Sequence, residues 1–514
     1  MRLKHFAVLF FALSLSAHAQ EEEKDGKKKF PKEARMRAQE LVKKYAKPGE
    51  NVVVIVVPQE DMDKFFLEDA TKREKIESKV LIVDDKSVFK GKISPGGQST
   101  LKAATPNLRV KKLENVSGDL NTIAGVENIS GTTRINPLTM DEGYAATSFY
   151  QRSLNKFGLV PKATEASHFQ LSNQYAKVVY VPIDESGKLL ENKKVSAGLH
   201  LVNNHPVKFL SEAQSDRYSV EAVARSRYNV ENVTEKLGIK RPDPETEIFS
   251  SLNSNKKTSP HRVEMSWSAD DAKKAELQRL ITDIYAAPVN LSGEALFKEL
   301  SKKMDLDQMF RFMAFNNIIR NGDISDEYFW FTQKDKKTGK TILRIMPQDG
   351  DDLLKGVHMF PFHPQQVGLI ARDKLKMSKD FIINLEDPLF RAIKNDPYLY
   401  EKYLNSYKKM AKEISSSKFL DTEFKAIEKE LSSYSKDADV LLRGATDEVG
   451  RVYDQDSFSK RIAAIKAAIQ AEADEALKKI DLEIAKSKGP AEIQRVRAHK
   501  MNCFRANLSK LLSK

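Results

Sequence analysis

The sequence predicts an α+β protein in which a β-rich N-terminal part gives way to a helical C-terminal part and a helical C-terminal extension. Three observations carry this reading. β-Branched runs bounded by turn residues cluster before about residue 215, apolar residues at three- and four-residue spacing dominate after it, and one aromatic hairpin interrupts the helical part. The 514 residues are 40% hydrophobic and 31% charged, which excludes a collagenous or disordered chain. A single cysteine, Cys503, excludes a disulfide-stapled scaffold and reads as an inert thiol.

The elements follow in order. Arg2 and Lys4 precede the apolar run 6–15 and then Ala17-His18-Ala19, the pattern of a signal peptide over residues 1–19, cleaved after Ala19. The expectation is a soluble exported protein, periplasmic or secreted. No Cys follows that site to carry a lipid, and no later segment approaches a membrane span. Residues 20–50 read as a charged leader and a short helix, Lys32 to Tyr45, stopped by Pro48. Residues 51–215 form the β-rich part, with strands Val52 to Val57, Lys79 to Val83, Val88 to Ile93, Leu108 to Leu113, Ala176 to Ile183 and Val195 to Val202. A helix is expected over Thr147 to Phe157, and the Gly-, Asn-, Ser- and Thr-rich stretch 115–137 reads as a long loop.

From about Ser219 the chain reads as predominantly helical, residues 216–400 forming the helical part and 401–514 its extension. Ser268-Ala269-Asp270-Asp271 has the spacing of a capping box and opens a helix to about Ala286 that Pro288 should stop, and Asp305 caps another over Leu306 to Arg320. In the extension, Ile462, Ile465, Ile469, Ala473, Ala476, Ile480 and Ile484 make an apolar stripe that reads as core packing.

Chemistry concentrates between Asn316 and Gly356. Tyr328 to Thr332 and Thr341 to Met346 flank a polar turn and pair as an antiparallel hairpin, which brings their outer ends together. One end carries Asp323, Asp326 and Glu327, the other Asp349, Asp351 and Asp352. So many carboxylates repel unless a cation screens them, and an oxygen-only donor set favours Mg2+, Mn2+ or Ca2+ over zinc. Phosphoryl transfer needs such a metal and one carboxylate beside the acceptor hydroxyl. An ordinary acidic loop is the plainer alternative. No EF-hand spacing follows Asp349, and His358 and His363 are separated by Pro361 in a way that suits packing better than metal ligation. Serine-hydrolase and zinc-peptidase motifs are absent.

These residues carry a resemblance. Asn321-Gly322-Asp323, the aromatic strand Tyr328-Phe329-Trp330-Phe331, and Pro347-Gln348-Asp349-Gly350-Asp351 with Gly356 resemble the core of the CotH-type (spore coat protein H) atypical protein kinase family. Weaker likeness runs from Asn51 to Ile480 and includes the Gly91 to Leu101 segment and the helix after Asp396-Pro397. The resemblance implies a two-lobed protein-kinase-like fold that uses ATP with Mg2+ or Mn2+. Asp323 would be the catalytic-loop aspartate, Asp349 a metal ligand and Asp351 a second ligand or its support. Two positions depart from the family pattern: Gln348 replaces a Trp, and Glu327 stands where kinases place an Asn ligand, still offering oxygen to a cation.

Arg109 and Lys111 share one strand face and either can reach phosphate, with surface charge as the alternative. Gly96 and Gly97 can let backbone amides approach phosphates, or form a plain hairpin loop. The net charge of +13 falls to +11 without Arg2 and Lys4. Its lysines and arginines are spread among acids without interleaved aromatics, which disfavours specific nucleic-acid binding and suits anionic envelope partners. The expected activity is phosphorylation of hydroxyls on extracytoplasmic proteins; the alternative is a catalytically silent kinase-like scaffold.

Overall fold

The computed structural model of the chain describes residues 30–66, 76–96, 107–118, 121–138, 145–161, 171–228, 261–321, 328–347, 387–437 and 455–487, with Gly350, Leu353, Leu354, Phe381, Val440 and Asn502. The α+β class holds. Helix α1 (Lys32–Tyr45) leads into a closed seven-stranded barrel. Its strands are β1 (Val52–Pro58), β2 (Ser78–Val83), β3 (Val88–Gly96), β4 (Asn107–Ser117), β7 (Thr133–Pro137), β8 (Asn173–Ile183) and β9 (Val195–Asn204). They pair in the order β1-β2-β3-β4-β7-β9-β8. All pairs are antiparallel except β1 with β8, which closes the ring in parallel.

Strand β1 is a continuous apolar run because both its faces are covered. Val53, Ile55 and Val57 point into the barrel core, while Val52, Val54 and Val56 pack outward with Ala38, Leu41 and Val42 of α1. The short helix α2 (Gln59–Phe65) adds Met62 and Phe65 to the interior. The two-residue strands β5 (Thr122–Ile123) and β6 (Val126–Glu127) meet at Ala124-Gly125, both at positive φ as a tight hairpin requires. The buried Asp84 carboxylate ties that turn to the β2–β3 turn by accepting from the amides of Ala124, Lys86 and Ser87 at 2.7–2.9 Å.

Helix α3 (Ala146–Lys156) and the short α4 (Pro206–Ser211) join the larger core of the rest of the chain. There a second sheet has the order β11-β10-β12-β13, built from β10 (Tyr218–Tyr228), β11 (His261–Ser268), β12 (Tyr328–Asp335) and β13 (Thr341–Pro347). Around it pack α5 (Asp271–Asn290), α6 (Gly293–Lys303), α7 (Leu306–Ile318), α8 (Pro388–Asn395), α9 (Pro397–Ser415), α10 (Ser417–Ser432) and α11 (Gln455–Ser487). The stripe Ile462, Ile465, Ile469, Ala473, Ala476 and Ile480 is buried as expected.

Several expectations need correction. The stretch 115–137 is not a loop throughout: β4 runs to Ser117, and β5, β6 and β7 follow. Nor is the chain helical from Ser219, because β10 and β11 are strands. Their sequences mix Glu, Ser and Arg, and pairing of β10 with β11 on one side and β12 on the other overrides that weak helical preference. Pro288 lies inside α5, which runs two residues past it.

Candidate functional site

The site is built around the end of α7. Asp305 caps that helix, its carboxylate accepting from the Gln308 amide at 3.1 Å, and the buried Gln308 Oε1 accepts from the Ile345 amide of β13 at 3.0 Å. The helix ends in a Schellman motif: Arg320 sits at φ +52°, its amide donates to Asn317, and the Asn321 amide donates to the Asn316 carbonyl at 3.0 Å. This turn aims Asn321 back into the core. Its Nδ2 donates to Asn316 Oδ1 at 3.0 Å and to the Tyr150 hydroxyl at 3.1 Å, and that hydroxyl donates to Asn316 Oδ1 at 2.8 Å. Asn316 Nδ2 donates in turn to the Phe312 carbonyl. Three buried side chains thus form a closed polar triangle in an apolar setting, which satisfies what burial would otherwise penalise.

The same Tyr150 holds the other acidic segment. A Cβ on Gly350 would lie 2.2 Å from Tyr150 Cγ, so the backbone there lies flat against the ring and admits no side chain. Four residues on, the Leu354 amide donates to the Ile319 carbonyl at 2.9 Å. Gly350 and Leu354, both after β13, therefore lie against α3 and the C-terminal end of α7.

The expected hairpin forms with Tyr328 opposite Pro347 and Lys334 opposite Thr341. Its base is anchored by the buried Asp387, which accepts from the hydroxyls of Tyr328 at 2.7 Å and Tyr285 at 2.8 Å and caps α8 through the Leu389 amide. Burial, with the Asp387 charge, pushes both tyrosine hydroxyls well above their ordinary range, so both remain donors. The far side is held by the buried Arg344, bonded to Gln333 Oε1 at 2.9 Å and the Val160 carbonyl at 3.1 Å, and 3.3 Å from Asp305. Burial lowers that guanidinium to about 10, still charged at neutral pH.

Of the residues the sequence singled out, Asp323, Glu327, Asp349, Asp351 and Gly97 lie outside the described residues. The described residues nearest them in sequence are Asn321 and Tyr328 for one pair and Pro347, Gly350 and Leu353 for the other. Arg109 and Lys111 do share one face of β4, exposed on the barrel's outside, and Gly96 ends β3 opposite Asn107. Among the described residues no group of three His, Cys, Asp or Glu is placed to hold a metal ion. Sequence reasoning missed Tyr150 and Asp387 as site residues; a signal existed for the partner of Tyr150, because Asn316 belongs to a polar pair inside an apolar helix.

Residues 212–472 match the family model described as CotH kinase protein. The match takes in β10 to β13, α7 and the whole hairpin with its acidic ends. A comparison with curated proteins gives no match.

Proposed function

The chain belongs to the CotH kinase family, and from that premise we propose that it is an exported phosphotransferase that uses ATP with Mg2+ or Mn2+ to phosphorylate hydroxyls of extracytoplasmic or envelope proteins. The observation that carries the reading is the shared anchor: Asn321 and Gly350 both rest on Tyr150. Asp349 and Asp351 are the chain neighbours of Gly350, and Asp323 follows Asn321 by two residues. Successive Cα atoms are about 3.8 Å apart, so both acidic segments are tethered close to one point.

An oxygen-only donor set on two such tethers suits Mg2+ or Mn2+, with Asp349, Asp351 and Glu327 as the residues that would hold it. Bound there, the cation would neutralise charge on the transferring phosphoryl group. Asp323 takes the proton of the acceptor hydroxyl as its oxygen bonds to the γ-phosphorus and the bond to the departing ADP oxygen breaks. Positioning supplies most of the rate, which is why the rigid triangle under the site matters. A two-lobed kinase-like arrangement belongs to the same proposal, supported by α3, which lies between barrel strands in sequence yet packs in the core of the helical part. Export rests on the N-terminal pattern from Arg2 to Ala19. Among the described residues no helix is long and apolar enough to cross a membrane.

Asp323→Ala and Asp349→Ala should each lower transfer of labelled phosphate from ATP by about 100-fold or more. Undiminished transfer in either variant overturns the assignment. Glu327 and Gln348, the two departures from the family pattern, favour a second reading in which the module binds a cation or a partner without transferring phosphate. Thermal stabilisation by Mg2+ with ATP supports the enzyme; a response to metal alone, or to neither, supports the scaffold.

A further inference from the structure

The outer surface of β2, β3, β4 and β7 carries a concentration of positive charge. Alternation sends Val80, Ile93, Val110 and Ile135 into the barrel and their neighbours outward. Register then sets Lys79 opposite Lys92 and Lys92 opposite Lys111, three cations abreast on three strands. In the next row Arg109 stands directly opposite Arg134, and Lys90 borders the first row. Lys79, Lys90, Arg109 and Lys111 are exposed. Strands about 4.8 Å apart and same-face residues about 6.6 Å apart confine these cations to a patch about 14 Å wide.

Like charges directly opposite one another destabilise a sheet pair. Two acids temper the face: Glu77 pairs with Lys92, and Glu114 lies opposite Lys90. The Lys92 ammonium, with Lys111 and Lys112 adding their charge, holds the Glu77 carboxyl below its ordinary value. At the far corner, burial and the charges of Arg134, Arg109 and Lys208 push the His205 imidazole down to about 3, which keeps it neutral.

We infer that this face docks an acidic, extended stretch of the acceptor polypeptide. The inference rests on the phosphotransfer reading for the identity of its occupant. Charge complementarity requires an anion, and the described outward residues of these four strands include no aromatic ring on which nucleobases stack. The nearness of this face to α3 selects a polypeptide. The Arg109–Arg134 row leads on, beneath the surface, through the buried Asn203 to the buried Asn173. Asn173 bonds Ser148 at 2.9 Å and Gln151 at 3.1 Å, the residues that flank Tyr150 beneath Gly350 on α3. Three strand steps separate Arg109 from Asn173, about 14 Å, a distance that four or five extended residues span. A chain held on the outer face by its acidic stretch therefore carries a hydroxyl several residues away toward the contact of Tyr150 with Gly350.

The test is fluorescence anisotropy of the full chain with a short labelled peptide alternating Glu and Ser, against the same peptide with Gln for Glu. The acidic peptide should bind about tenfold tighter or more, weaken as salt rises, and lose about tenfold in affinity for Lys79→Glu/Lys90→Glu. That variant should keep its melting temperature and its thermal stabilisation by Mg2+ with ATP. Equal affinity for the two peptides, undiminished binding by the variant, or tighter capture of a single-stranded oligonucleotide or of anionic vesicles overturns the docking face. Peptide binding without any transfer from ATP would instead sink the phosphotransfer reading and leave the cationic face as a binding surface for acidic chains.

Discussion

Gly350 and Tyr150 meet where two acidic segments converge, and each is constrained by the other. Gly350→Ala must displace the Tyr150 ring, since its Cβ would fall 2.2 Å from Cγ. Overpacking of this kind costs about 1–3 kcal/mol. A urea titration should show that loss as a lower midpoint, and an unchanged midpoint would mean the ring yields freely. The aromatic hairpin and its acidic ends were legible in the sequence because they are local: alternation, a polar turn and carboxylates within some forty residues. Tyr150 was not, because it reaches Asn316 across 166 positions and nothing in the α3 sequence marks one tyrosine as a shared support.

Helix α7 ends with a non-glycine residue at φ +52°, where Arg320 occupies the position that a Schellman motif usually gives to glycine. The left-handed conformation costs an ordinary residue about 1 kcal/mol, but Arg320 Nε also reaches Glu472 of α11 at 2.7 Å. Arg320→Ala loses the ion pair and keeps the strain, whereas Arg320→Gly loses the pair and relieves the strain. The glycine variant should therefore be the more stable of the two by about 1 kcal/mol in chemical denaturation; equal stability would show the turn unstrained. At this scale elements with their own punctuation were legible in the sequence, such as α1 before Pro48 and β2–β3 around Asp84. It hid β7, whose five residues Thr-Arg-Ile-Asn-Pro barely alternate, and β10, whose helix-compatible residues are held extended by β11 and β12 on either side.

Across the whole molecule, a buried charge cluster joins the barrel to the segment after α10. Lys177 of β8 lies 2.5 Å from Asp437 and 3.6 Å from Glu50, and Lys47 approaches Asp437 at 3.2 Å. Burial pushes the Glu50 carboxyl up, and Lys177 opposes that rise. Lys177→Met strands buried carboxylate and should cost about 3–5 kcal/mol, while Lys177→Met/Asp437→Leu should regain much of the loss. Denaturation of both variants checks this; a single variant as stable as the parent would refute it. No local pattern revealed the barrel either, since its closing ladder matches Val52 with Lys177, about 125 residues apart. That separation has a consequence for how the chain finds its shape. The β2–β3–β4 hairpins bring together near neighbours at little entropic cost, but the parallel β1–β8 ladder must close a long loop, and such non-local contacts set the pace of folding. Until β8 arrives, β1 presents an unpaired edge of almost pure valine, and α1, which precedes it directly and packs on its outward face, is the nearest cover for that strand.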